Sequence, residues 1–239
     1  TKLSAQTPRL YGEKPALGTV DPCTIIQEGE AIGTFYGFKW AGLQKNDKGQ
    51  WVDTYYKSNG TITTDPDAST DRFILGHSNP DFTFGWNNTV TYKNWDFNMF
   101  CNAAFGAKRL NIVRFAMNAE VGASRFVTDK DHFSNIGVTM PTIGAENKNY
   151  GNSDKWLENA DYFRCENISV AYTFPRSVTK LADIRLSLSA QNLFTITGYK
   201  GIDPAGASFS DANVDRDNGL DMGAYPNPRT ITMFFRVTF

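Results

Sequence analysis

The residues best equipped for chemistry are scattered along the chain rather than gathered. Asp211, Asn213, Asp215 and Asp217 alternate in a glycine-containing stretch, the spacing with which oxygen ligands surround a hard cation such as calcium. Asn218 stands where the turn glycine belongs and no closing glutamate follows, so a solvated acidic loop is the better reading and no metal is assigned. Two carboxylates set at the right separation can cleave a glycosidic bond. No spacing here fixes such a pair, and no catalytic residue is assigned. His77 and His132 fall in expected loops with no Cys, His or Glu at ligand spacing, and no nucleophile elbow occurs. Cys23, Cys101 and Cys165 are odd in number and share no metal-type spacing, so they give neither a disulfide framework nor a zinc site. No cofactor is expected.

A second group of residues could recognise rather than react. Trp40, Trp51, Tyr55, Tyr56, Tyr150, Trp156, Tyr199 and Tyr225 lie in stretches expected to be loops. An amphipathic ring offers a flat apolar body with a polar tip, which suits stacking on a sugar face. The plainer reading is packing within the loops or contact with a partner protein.

Those side chains need a scaffold, and its pattern is period two. In Thr230–Phe239, Ile231, Met233, Phe235, Val237 and Phe239 share one face, and Thr230, Thr232, Phe234, Arg236 and Thr238 the other. That length matches the roughly 9–11 residues with which a tilted strand crosses a bilayer. Phe82–Tyr92, Trp95–Phe105, Tyr162–Phe174 and Ile184–Phe194 alternate in the same way, and Phe35–Leu43 is aromatic and glycine-rich. The alternation places Arg185, Gln191, Asn167 and Arg236 on the polar face, which would line a lumen. Arg236 facing lipid would cost roughly 2–4 kcal/mol near the midplane. Strict alternation also puts Cys101 on the lipid face and Cys165 on the lumen face, which predicts no bond between them.

The connections alternate between short and long. Lys93-Asn94 makes a two-residue hairpin, and the link from Phe174 to Ile184 is short. The links from Leu43 to Phe82, Phe105 to Tyr162 and Phe194 to Thr230 are long and polar. Aromatic residues fall at the strand ends: Tyr92, Trp95, Phe174 and Phe239 on one side, Phe82, Phe105, Tyr162 and Phe194 on the other. Short turns, long loops and aromatic girdles are the marks of an antiparallel transmembrane β-barrel. A soluble β-sandwich also alternates, but it has no reason to alternate loop length.

Composition agrees. Aromatics make up 14% of the chain, and no run of roughly 18 apolar residues is present to form a spanning helix. The mean hydropathy of -0.40 is compatible with a barrel, whose strands are only half apolar. A net charge of -1 gives no sign of a nucleic-acid surface. Six strands cannot close a membrane barrel, since the smallest have about eight, and open edges in lipid leave backbone groups unsatisfied. With Thr1 rather than Met at its start and no leader, the chain is expected to be a section of a longer protein. Its start is an accessible place for a proteolytic nick.

The stretch Gln191-Asn-Leu-Phe-Thr-Ile-Thr-Gly-Tyr-Lys-Gly-Ile-Asp-Pro204 closely resembles a hallmark of the SusC/RagA family, TonB-dependent outer-membrane transporters of Bacteroidetes. Glu28–Phe38, Gly76–Gly85, Ser153–Ser169 and Gly223–Thr230 resemble further family segments in family order. The resemblance implies an all-β fold: residues 1–239 would be the C-terminal portion of an antiparallel barrel of about 22 strands with a plugged lumen. The plug, the N-terminal strands and the segment contacting TonB would lie outside this chain. The implied function is energised uptake of an oligosaccharide or peptide across the cell outer membrane, with a SusD-like surface lipoprotein as lid and dimers of such pairs allowed. It also implies that Phe239 is part of the assembly signal, so deleting Val237–Phe239 should cut membrane assembly. The family often carries a calcium-loop-like segment before the strand matching Phe82. Here Asn59–Asp71 lacks the glycine-spaced acidic ladder, and no metal is carried over. A passive porin and a soluble carbohydrate-binding β module are the competing readings.

Overall fold

The computed structural model describes residues 9–11, 23–118, 148, 150–180, 182–206, 219–223 and 225–238. In chain order the strands are β1 (Arg9–Tyr11), β2 (Thr24–Ile26), β3 (Thr34–Phe38), β4 (Trp40–Lys45), β5 (Trp51–Tyr56), β6 (Ile62–Thr63), β7 (Arg72–His77) and β8 (Phe82–Tyr92). They continue with β9 (Trp95–Phe105), β10 (Lys108–Asn111), β11 (Leu157–Asn159), β12 (Tyr162–Phe174), β13 (Asp183–Thr197), β14 (Leu220–Asp221) and β15 (Thr230–Thr238). A short helix α1 (Ile112–Asn118) follows β10, and a single turn α2 (Arg176–Thr179) follows β12. The chain divides into two compact units.

The unit made of Pro80–Ala107, Asn159–Gly206 and Tyr225–Phe239 contains one five-stranded sheet, ordered β15-β13-β12-β9-β8. Every neighbouring pair is antiparallel. Lys93 adopts φ 52 to close the hairpin that sets Tyr92 against Trp95. The other short link runs through α2. There the Arg176 guanidinium donates to both oxygens of the Asp183 carboxylate, at 2.8 and 2.9 Å. Both short links lie at the same end of the sheet, because Trp95 is also the register partner of Tyr172.

One rung departs from simple alternation. Cys165 pairs with Cys101, and the next partners are Asn167 and Phe100, so Glu166 is an extra residue on β12. A β-bulge of this kind resets which face each side chain takes. Cys165 therefore lies on the same face as Cys101 and not on the opposite face that parity predicts. For the same reason Phe163, and not Tyr162, joins the apolar face at this end. Phe163 pairs with Ile196 and Ala103, whereas Tyr162 pairs with Thr197 and Ala104. Beside the bulge, Asn192 on β13 takes φ 50, a left-handed conformation that Asn tolerates better than most residues. Its amide donates to the Pro228 carbonyl at 3.1 Å.

The other unit, Thr1–Asn79 with Lys108–Glu158 and Ala207–Ala224, holds the short strands. They form sheets β1-β2-β3-β7, β4-β5-β6 and β11-β10-β14. Phe35–Leu43 is thus not a wall strand. It breaks at Lys39 into β3 and β4, which pair with β2, β7 and β5. The long links are not plain loops either, since β5, β6, β7, β10, α1, β11 and β14 fold within them. His77 ends β7 rather than lying in a loop, and His132 falls outside the described residues.

This unit has its own core: Cys23, Phe35, Leu110, Ile112, Trp156 and Leu220 are buried together. Beside it, Phe38, Tyr55 and Tyr150 meet edge-on or tilted, with ring centroids 4.6 to 6.1 Å apart. Backbone approach is closest at Gly37. A Cβ there would sit 1.7 Å from the Asn152 carbonyl oxygen, so only glycine fits.

Candidate functional site

The first functional surface is one face of the five-stranded sheet. Pairing in register brings Trp86, Val90, Leu186, Leu188, Met233 and Phe235 onto it, all more than a third exposed. A soluble monomer rarely leaves so much contiguous apolar surface uncovered. The face is bounded by aromatics at both ends. At the short-turn end Trp95 and Tyr172 lie 4.7 Å apart and Tyr172 and Phe174 4.9 Å. At the other end Phe82 and Phe105 lie 6.5 Å apart and Phe163 and Phe194 6.3 Å. An apolar band between two aromatic rows is the surface a bilayer solvates, with rings at the headgroup level.

The opposite face is polar. Arg185, Gln191, Asn167 and Arg236 all fall on it, as the alternation predicts: Asn167 pairs with Gln191, and Arg185 stands opposite Arg236. Arg185 Nη1 lies 2.5 Å from Asp96 Oδ2 and donates to Thr173 Oγ1 at 3.0 Å. Thr91 donates to Asp96 at 3.0 Å, and the Asn98 amide donates to Thr89 at 2.8 Å. These groups surround an open groove of about 500 Å³ that also takes in Ser189 and Phe234. Hydroxyls, amides and one ion pair can hydrate a channel or hold a polar ligand by exchangeable hydrogen bonds. Among the described residues, no group of three His, Cys, Asp or Glu converges on a metal position.

At the long-link end of the same unit a buried ion pair was not legible beforehand. Arg164 Nη2 meets Asp203 Oδ1 at 2.5 Å, and Arg164 Nε donates to Thr195 Oγ1 at 3.0 Å. Asp203 also accepts from the Ala205 N–H at 2.8 Å, which ties the segment after β13 back to the sheet. Arg164, with Glu166 one of the two charged residues of β12, was the available signal.

The aromatic candidates separate by burial. Tyr55, Trp156 and Tyr199 are 0%, 2% and 6% exposed, so their rings pack inside the chain instead of standing free in loops. Trp40, Trp51 and Tyr56 are half-buried and lie on strands β4 and β5 rather than in loops, and Tyr150 is also half-buried. Tyr225 is 87% exposed. Phe239 and the acidic run from Asp211 to Asp217 lie outside the described residues.

Trp40 belongs to a buried charged cluster. Its indole N–H donates to Asp53 Oδ1 at 2.7 Å, and Lys155 Nζ reaches both Asp53 oxygens at 2.6 and 2.7 Å. The ammonium also lies 4.7 Å from the Trp156 ring centroid and 5.7 Å from that of Trp40, within cation–π range. Burial pulls the Lys155 ammonium below the usual lysine range, against the pull of Asp53. Burial, and then the Asp53 charge, push the Tyr55 phenol well above its ordinary range. The cluster fastens β4, β5 and the segment at Lys155 together.

No family model matches the chain. It is 34% identical over 238 residues to a protein named TonB-dependent receptor P3 of Formosa agariphila, covering 90% of this chain and 23% of that protein. It is 27% identical over 238 residues to TonB-dependent receptor SusC of Bacteroides thetaiotaomicron, covering 95% of this chain and 21% of that protein. Among solved structures it resembles a chain of the RagAB peptide importer in its open-open state, with TM-score 0.70 and 20% identity over 100% of this chain and 25% of that one. A structure of the RagAB peptide transporter gives TM-score 0.71 and 21% identity over 99% of this chain and 25% of that one. The chain therefore spans about a quarter of the length of the proteins it matches.

Proposed function

We propose that this chain, a relative of TonB-dependent receptors of the SusC/RagA kind, builds the C-terminal section of the wall of an outer-membrane nutrient transporter. The observation that carries the reading is the five-stranded sheet itself, apolar and exposed on one face and polar on the other, with aromatic rows at both ends. Lipid covers the apolar face. The polar face, with Arg185, Gln191 and Arg236, faces the lumen. Strands β8 and β15 lie at the two edges of the sheet. Open edges are not tolerated in hydrocarbon, so each pairs with a strand supplied by the rest of the protein, completing a barrel of about 22 strands.

On this reading the transported ligand is an oligosaccharide or a peptide, delivered by a SusD-like lipoprotein and released inward by a TonB-driven plug. The chain contributes wall and extramembrane structure and no catalytic step. Tyr225 and the half-buried Trp40, Trp51 and Tyr56 are the aromatics left to meet ligand or lipoprotein, and Phe239 closes the assembly signal.

The test is fractionation of the native source followed by a denaturing gel of the unheated and heated extract. The expected result is a detergent-extracted species that migrates compactly, carries a lipoprotein, and changes mobility on heating. A water-soluble 26.7 kDa monomer would sink the reading in favour of a carbohydrate-binding β module.

A further inference from the structure

The bulge at Glu166 has a chemical consequence, because it places the two wall cysteines opposite each other. Cys101 on β9 and Cys165 on β12 are direct register partners. Both are thiols in this structure, and both are 1% exposed. Trp86 is the partner of Cys101 on its other side, and Phe194 is the partner of Cys165. One rung across four strands therefore reads aromatic, thiol, thiol, aromatic, all on the apolar face. Directly opposed residues of an antiparallel pair have Cα atoms roughly 4.5–5.5 Å apart, inside the window of about 4.4–6.8 Å that a disulfide bridges. Without the extra residue on β12 the thiols would point to opposite faces and could not meet.

We infer that Cys101 and Cys165 are joined by a disulfide in the protein that reaches the outer membrane. This rests on the proposed location, since the periplasm is oxidising and the cytosol is not. The oxidant is a periplasmic dithiol–disulfide oxidoreductase in its disulfide form. One cysteine thiolate attacks a sulfur of the oxidant's disulfide and displaces that partner's other sulfur as a thiolate. The second cysteine thiolate then attacks the mixed disulfide, forming the Cys101–Cys165 bond and releasing the oxidant as a dithiol. Two electrons pass to the oxidant, and the two protons lost by the cysteines balance the two thiols it gains. Exchange has to occur before the wall closes, because the folded rung leaves neither sulfur accessible. The bond ties β9 to β12 across the long excursion between Phe105 and Tyr162.

The experiment uses full-length protein from acid-quenched outer membranes, denatured and labelled with a maleimide, with and without prior reduction, then mapped by peptide mass spectrometry. The expected result is a linked Cys101–Cys165 peptide pair without reductant, and full labelling of both after it. In a Cys101→Ser variant, Cys165 should label without reductant. Labelling of both cysteines in unreduced wild-type protein overturns the disulfide, as does a Cys165 that stays blocked in the variant. Failure of the transporter reading is separately visible: the protein would be missing from the outer-membrane fraction, and the proposal would fall with it.

Discussion

Arg185 of β13 reaches over β12 to Asp96 of β9, Nη1 to Oδ2 at 2.5 Å, so one ion pair spans three strands. Ala171, the register partner of Asp96 on β12, leaves the space that the guanidinium crosses. The pair sits on the polar face, and both side chains are about a third exposed, at 39% and 36%. Arg236 stands directly opposite Arg185, so Asp96 also offsets a like-charge contact.

Exposure keeps the contribution of the pair small. A double-mutant cycle of Asp96→Asn and Arg185→Gln should give a small favourable coupling in urea titrations of the detergent-solubilised protein, weakening with salt. No coupling at low salt would mean that the two charges do not meet.

The two faces of β13 should respond oppositely to charge. Leu188 is 53% exposed on the apolar face, and Ser189 follows it on the polar face. Leu188→Arg should cost roughly 2–4 kcal/mol of folding free energy in bilayers and reduce assembled protein, while Ser189→Arg should cost little. Equal effects at the two positions would refute the assignment of faces.

Sequence periodicity revealed the wall because its strands, of nine to fifteen residues, alternate apolar and polar side chains over most of their length. The same logic missed the other unit. Its strands have two to six residues, and β5 buries four consecutive positions, Val52–Tyr55, so no alternation exists to be read. The bulge was invisible for a different reason: one extra residue, Glu166, changes the phase of Cys165, Phe163 and Tyr162 without changing the composition of β12. Polar positions such as Arg185 and Arg236 could be placed because each lies on the regular side of that bulge. Tyr55 and Trp156 could not, since an aromatic in a polar stretch looks the same whether it is packed or free.

The buried cluster at Asp53 should be the most sensitive charge position in the short-strand unit. The Asp53 side chain is fully buried and Lys155 supplies its charge partner at 2.6 Å. Lys155→Met removes the ammonium while the Asp53 carboxylate stays buried, and should destabilise by about 3–5 kcal/mol. Adding Asp53→Asn to that variant should recover part of the loss. Differential hydrogen exchange over β4 and β5 reads both effects, and unchanged protection in Lys155→Met would show that the pair contributes nothing.

Acid should loosen the turn between β6 and β7 through Asp71. Its carboxylate accepts the Ser58 N–H at 3.0 Å and the Asp67 N–H at 2.9 Å, with the Ser58 hydroxyl at 3.3 Å. Those bonds, the Ser58 N–H first, hold it below its ordinary value of 3.8. Between the two values the unfolded segment carries the extra proton, so stability rises with pH there. The contribution is fully present above 3.8 and is lost as pH falls through the lowered folded value. Asp71→Asn keeps an acceptor oxygen but cannot titrate. Protease resistance of the 57–71 segment in the intact solubilised protein should therefore favour wild type at pH 6, with the gap closing as pH falls well below about 4. A gap that stays constant with pH would mean that the carboxylate charge does not hold the turn.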